Sequence, residues 1–183
     1  MKHLHKNKAV VIWAIGVLVV GLQVAGSHTA EALKAIPQAQ SQLSEKALRV
    51  KTLDKFHNAD SLTKTDLMQL LSAVGFKNKA LQEAWAIAMK ESKGNPLSHN
   101  GNRKTGDNSY GLFQVNMIGS MGQERRDKFN LDYNAKLLDP VVNAQVAYHM
   151  SNGGKDWSAW KGTKTPVVKS LMAQFPDKAK AKP

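Results

Sequence analysis

The spacing of apolar positions changes several times along this chain, and each change marks an element. Residues 9–26 run without a charge, and Gln23 is the only strongly polar side chain among them. As a helix this stretch is about 27 Å long, close to the hydrocarbon thickness of a bilayer. Lys2, Lys6 and Lys8 flank only its start, which predicts a cytoplasmic amino terminus and export of everything that follows. Val24-Ala25-Gly26 is a small-residue cleavage site, so 1–26 reads as a transmembrane signal anchor or as a cleaved signal peptide. A buried core helix fits less well, because no polar face interrupts the run. Residues 27–60 lose that character: they are rich in Ala, Gln, Lys and Ser, with one proline, Pro37, and a weak stripe of Leu43, Ala47 and Val50. They read as a partly helical spacer whose work is reach.

From 61 to 163 the apolar positions recur at helical intervals. Thr65 is the expected cap of a helix carrying Leu67, Met68, Leu70, Leu71 and Val74 and closed by Gly75. A second helix is expected over 79–92. In it Leu81, Ala84, Ala88 and Glu91 follow one another at three, four and three residues, so the carboxylate is the last member of an apolar face. Residues 123–129 suit a short charged helix. Asp139-Pro140 is a cap followed by a first-turn proline, leading through Val141, Val142, Ala144, Val146 and Ala147 to a stop at Gly153 and Gly154. Asp156 is the expected cap of a last turn holding Trp157 and Trp160. No stretch alternates cleanly enough for a core strand, so the fold class is mainly α. The remainder, 164–183, is a basic tail with Pro166, Pro176 and Pro183.

Charge narrows the partners. Lys plus Arg number 26 against 14 Asp plus Glu, a net +12, and a protein so basic seeks a polyanion: nucleic acid, anionic lipid, or a bacterial wall with its peptide carboxylates and teichoic acids. There are no cysteines, which excludes disulfides, thiol nucleophiles and thiolate metal sites. The histidines, at 3, 5, 28, 57, 99 and 149, have no zinc-ligand spacing, and residues 100–109 lack the acidic density of a calcium loop, so neither a metal nor another cofactor is expected. Ser61-Leu62-Thr63-Lys64 and Lys104-Thr105-Gly106 imitate two signatures of penicillin-binding proteins, a fold that needs far more chain than this.

The chemistry concentrates in 85–117. A carboxyl group among apolar neighbours near the carbonyl end of a helix makes Glu91 a candidate general acid. It opens Glu91-Ser92-Lys93-Gly94-Asn95-Pro96, and after a polar loop comes Ser109-Tyr110-Gly111-Leu112-Phe113-Gln114-Val115-Asn116-Met117. These two segments resemble the catalytic region of the lysozyme-like lytic transglycosylases, especially the compact forms in phage virion and tail proteins and in wall enzymes of secretion systems. They also resemble goose-type lysozymes. The likeness continues through Asp139-Pro140, Asn143, Tyr148 and residues 153–160, and so covers roughly 65–162.

The resemblance implies a lysozyme-like fold, with a small β-hairpin or irregular loop between Pro96 and Tyr110, and cleavage of the MurNAc-GlcNAc β-1,4 bond of peptidoglycan. Glu91 would serve as acid and then base, and the sugar's own 6-hydroxyl would close a 1,6-anhydro product without a second carboxylate. Ser92, Tyr110, Gly111, Gln114 and Asn116 would surround the glycan, Gly111 letting the backbone pass close to the sugar. Tyr148 matches a late family tyrosine loosely, since alanines replace the glycine that normally precedes it. Trp157 is a candidate stacking platform. Goose-type lysozymes carry an aspartate where Asn116 stands, and a further loop acid that Asp107 approximates; the asparagine favours the non-hydrolytic route. A hydrolytic lysozyme of the same fold and a non-catalytic wall-binding or assembly protein are the alternatives. The expected partners are glycan strands, the membrane through 9–26, and virion or secretion-complex proteins, with no specific nucleic acid. The expected place is the exported side of a bacterial inner membrane, tethered or secreted, or within a phage virion.

Overall fold

The computed structural model describes residues 28–102 and 104–176; the anchor expected at 1–26 lies outside them. Among the described residues no helix is long and apolar enough to cross a membrane. The chain divides into two units, up to Gln40 and from Ser41 onward, and the second holds the core. Helix α1, His28–Phe56, takes up most of the expected spacer and is continuous through Pro37. Its weak stripe stays outside the core: Leu43 and Val50 are exposed. In its last turn Phe56 is buried in the core, upstream of the expected domain start at 61. Arg49 fastens α1 by donating from Nη2 to the Val74 carbonyl at 2.6 Å.

Helix α2, Lys64–Val74, starts two residues earlier than Thr65 would place it. Thr63 is the cap because it sets Asp66 at the third helical position. Thr63 Oγ1 accepts from the Asp66 N–H at 3.0 Å, and the Asp66 carboxylate accepts from the Thr63 N–H at 3.2 Å. Burial raises the Asp66 pKa, but hydrogen bonds from Thr63 and Lys55 outweigh it and hold the carboxyl below its ordinary value. A carboxyl depressed in the folded state stabilises the fold above its unfolded pKa, and that contribution is lost as pH falls through the folded-state value. Thr63→Ala is therefore expected to cost about 1 kcal/mol at neutral pH. Thermal melts should show the cost shrinking in acid, as the carboxylate that completes the box takes up its proton.

Helix α3, Asn78–Ser92, runs through the centre of the molecule. Ala84, Trp85, Ala86, Ile87 and Ala88 are all buried, a wider apolar surface than one stripe, because α2 packs on one side of it and α6 on another. Its C-cap is Lys93 in the left-handed conformation, followed by Gly94 at φ +77°, so the chain leaves the helix in a sharp reversal. Helix α6, Pro166–Met172, departs from the expectation of a basic tail. Val168, Leu171, Met172 and Phe175 fall at helical spacing and pack on the core, with the Phe175 ring edge-on to Trp85 at 5.8 Å. Helices α4, Gly119–Phe129, and α5, Pro140–Met150, complete the helical shell. Asp139 caps α5 by accepting from the N–H groups of Val141 and Val142 at 2.8 and 3.2 Å.

Where one hairpin or an irregular loop was expected, there is a three-stranded antiparallel sheet of two-residue strands, β1 His99–Asn100, β2 Ser109–Tyr110 and β3 Val115–Asn116. Tyr110 faces His99 on one side and Val115 on the other. The third strand forms because Gly111 at φ +71° and Gln114 at φ +47° fold the motif back on itself. Strands of two residues are too short for alternation to announce them.

Candidate active site

Glu91 sits in the last turn of α3, its side chain one-fifth exposed. Its surroundings are not wholly apolar, as its helical face suggested: Lys90 Nζ lies 2.6 Å from Glu91 Oε1, and donates again to the Lys161 carbonyl at 3.0 Å. Sequence reasoning missed Lys90, whose signal was only adjacency. Glu91 Oε2 has no partner among the described residues. Ser92 is buried, and its hydroxyl donates to the Ala88 carbonyl at 3.1 Å, so its proton is already committed within the helix.

After the reversal at Lys93 and Gly94, Asn95 orders the descent by accepting from the Leu97 N–H at 2.9 Å. The chain then reaches Ser98, the junction between the glutamate segment and the sheet. The Ser98 carbonyl accepts from the Gly111 N–H at 2.8 Å and from Gln114 Nε2 at 3.0 Å, and Gln114 Nε2 also reaches the Gly111 carbonyl at 3.0 Å. Tyr110 stacks on His99, ring centroids 4.3 Å apart. Asn116 is held by its amide: Oδ1 accepts from the N–H groups of Asn108 and Ile118 at 3.3 and 3.1 Å, and Nδ2 points to the Gly106 carbonyl at 3.5 Å. Asp107 accepts from the Thr105 hydroxyl at 2.9 Å.

Gly111 has a different reason from the one its motif suggested. A Cβ there would meet the Leu137 carbonyl at 2.2 Å and Asn143 Nδ2 at 2.3 Å. The close approach is internal to the fold. Asn143, wholly buried, donates from Nδ2 to the Tyr110 and Leu137 carbonyls, both at 2.9 Å, and accepts from the Phe113 N–H at 2.9 Å. It fixes the turn of the motif from behind, and the resemblance named it without giving it a task.

Tyr148 belongs to another neighbourhood, and Trp157 packs between it and the motif. Tyr148 packs edge-on against Phe76 at 5.0 Å, and a Cβ on Gly75 or Gly153 would touch its ring. Gly154 abuts Ala80 in the first turn of α3. Eleven residues of helix, about 16 Å, separate Ala80 from Glu91. Trp157 stacks on Phe76 and Phe113 at 6.0 and 6.1 Å. Trp160 donates from Nε1 to the Phe113 carbonyl at 2.7 Å, so it buttresses the motif from the core side.

A family model described as a lysozyme-like domain matches residues 68–162, more than half of the chain. The chain belongs to the lysozyme-like domain family. The match begins inside α2 and ends after Trp160, so it spans Glu91, the three strands and α5. Comparison with curated proteins and with solved structures gives no match. A lysozyme-like domain of this kind binds peptidoglycan and belongs with the enzymes that cleave its glycan bonds. The helical architecture with a small antiparallel sheet agrees with that membership.

Proposed function

We propose that this chain is a lytic transglycosylase acting on peptidoglycan, with Glu91 as its single acid and base. The observation that carries the reading is the placement of Glu91: a one-fifth-exposed carboxyl at the end of the central helix, in the segment that the Ser98 carbonyl joins to Gly111 and Gln114 of the motif, with one oxygen without a partner among the described residues. In the reaction the Glu91 carboxyl gives its proton to the glycosidic oxygen between MurNAc and GlcNAc, and the C1–O bond breaks through an oxocarbenium-like state. The muramyl 6-hydroxyl then attacks C1, and its proton passes to the Glu91 carboxylate. The product is a 1,6-anhydro sugar, no water is consumed, and the enzyme returns to its starting protonation.

Two further observations favour this route over hydrolysis. Asn116 has no proton-accepting carboxylate, and both ends of its amide are engaged by backbone groups. Asp107 has its carboxylate bound by Thr105 within its own loop. Tyr110 and Gln114, on the strand and turn that Ser98 joins to the glutamate segment, would hold the sugar through the Tyr110 ring and hydroxyl and through Gln114 Oε1, since both Gln114 Nε2 hydrogens are already bonded to the Ser98 and Gly111 carbonyls. Export by residues 1–26, as anchor or as cleaved signal, would deliver the domain to the wall from a cell envelope or a virion, and the net +12 suits that polyanionic setting.

Digestion of purified sacculi followed by mass spectrometry tests the reading. Soluble muropeptides ending in anhydro sugars are the expected result. Reducing-end sugars alone, together with loss of turnover in an Asp107→Asn variant that stays folded, would overturn it in favour of a hydrolase.

A further inference from the structure

A cavity of about 1020 Å³ lies between α3, the turn at 154–158 and α6, and Glu91 is not among its walls. Its volume is that of a ligand pocket rather than of a packing defect. We propose that this cavity, which runs along α3 from Lys79 to Ile87, binds the acidic peptide stem carried by the wall glycan. The proposal rests on the reading of the chain as a peptidoglycan-cleaving enzyme and adds a second recognition element to it.

Two features of the cavity point to such a ligand. Its floor is apolar and aromatic, with Ile87, Trp157 and Met172. Its rim is basic in excess. Lys155, Lys164 and Lys169 have no carboxylate partner among the described residues, whereas of the two acids present Glu83 faces Lys79 at 3.7 Å and Asp156 accepts from the Ser158 N–H at 2.9 Å. A peptide bearing free carboxylates and small apolar side chains matches that combination, while a neutral glycan leaves the lysines uncompensated.

The cavity also lies within reach of the reacting bond. Ile87 is one helical turn before Glu91, about 6 Å along the axis. Lys90, which holds Glu91, is bonded to the carbonyl of Lys161, two residues before Thr163 on the cavity wall. A stem hanging from the muramyl unit at Glu91 therefore meets this opening without a long detour.

The experiment is a tryptophan-fluorescence titration of the full chain with a free stem tetrapeptide, with the same peptide amidated at its carboxylates, and with an α-linked L-glutamyl peptide of equal charge. Trp157 and Trp160 both line the cavity and supply the signal. The expected result is saturable binding of the stem, about tenfold weaker binding of the amidated and glutamyl peptides, and a similar loss for Lys155→Gln/Lys169→Gln against the acidic stem. Equal binding of all three peptides, or none saturating while circular dichroism shows a folded protein, would overturn the assignment. The wild-type comparison needs no variant to fold. Stem binding by a wild-type chain that fails to cleave sacculi would support the cavity and count against the enzyme reading alone, whereas cleavage without saturable stem binding would overturn the cavity and leave the enzyme reading standing.

Discussion

Glu91→Gln is expected to abolish clearing of cell-wall gels while leaving the protein folded. The substitution keeps the volume and one carbonyl oxygen of the side chain but removes the group that gives and takes the proton. General acid–base catalysis is worth about 10²- to 10⁴-fold, and here one residue performs both halves of the exchange, so a loss at or beyond the upper end is expected. Stability should change little. Lys90 retains its bond to the Lys161 carbonyl and can still donate to the glutamine oxygen, so no buried charge is stranded. The control is a thermal melt of both proteins, and the decisive measurement is release of soluble muropeptides from sacculi at equal protein. Equal clearing by the two proteins defeats the assignment of Glu91, and absence of clearing by both defeats the reading of the domain as a catalyst.

The helices were legible in the sequence where their ends carry chemistry. Asp139-Pro140 and Gly75 announce a start and a stop because each side chain or missing side chain satisfies specific backbone groups, and both stand where they were expected. Thr65 misled because two threonines lie two residues apart, and only Thr63 places an acid at the third position of the helix. The sheet was less legible, since two-residue strands are held by Gly111, Gln114 and the Ser98 carbonyl rather than by any alternation of their own. Helix α6 was hidden by the lysines around it. Val168, Leu171, Met172 and Phe175 outweigh those charges because the lysines stay at the surface while the apolar members cover α3.

The candidate site shows the same division. Glu91 and its motif could be found from spacing and resemblance, since both are local properties of the chain. Tyr148 and Trp157 could not be placed, because proximity to Glu91 depends on which end of α3 the chain revisits after α5. Gly154 brings that return to Ala80, at the far end of the helix. Lys90 was overlooked for a related reason: a lysine beside a glutamate in a helix is ordinarily directed elsewhere, and here the Lys161 carbonyl draws it back across the carboxylate.

Asn143→Leu is expected to cost about 3–6 kcal/mol, since it takes the partner from two buried backbone groups and one half-buried one at ~1–3 kcal/mol each, less some relaxation. The side chains are nearly equal in size, so the loss is one of hydrogen bonding and not of packing. The Phe113 N–H and the Tyr110 and Leu137 carbonyls all depend on the same amide. Against a typical total of about 5–15 kcal/mol for a domain, this is a large part of its stability, and the urea midpoint should fall accordingly with the slope of the transition unchanged. Asn143→Asp separates the two halves of the interaction. When ionised it can still accept from Phe113 but sets a carboxylate oxygen against two carbonyl oxygens, so it too should destabilise at neutral pH. In acid its proton can donate to one of them, and part of the loss should return. A mild and pH-independent effect of both substitutions would mean that the motif's turn holds itself, and that Gly111 alone, pressed against the Leu137 carbonyl, sets the position of Tyr110.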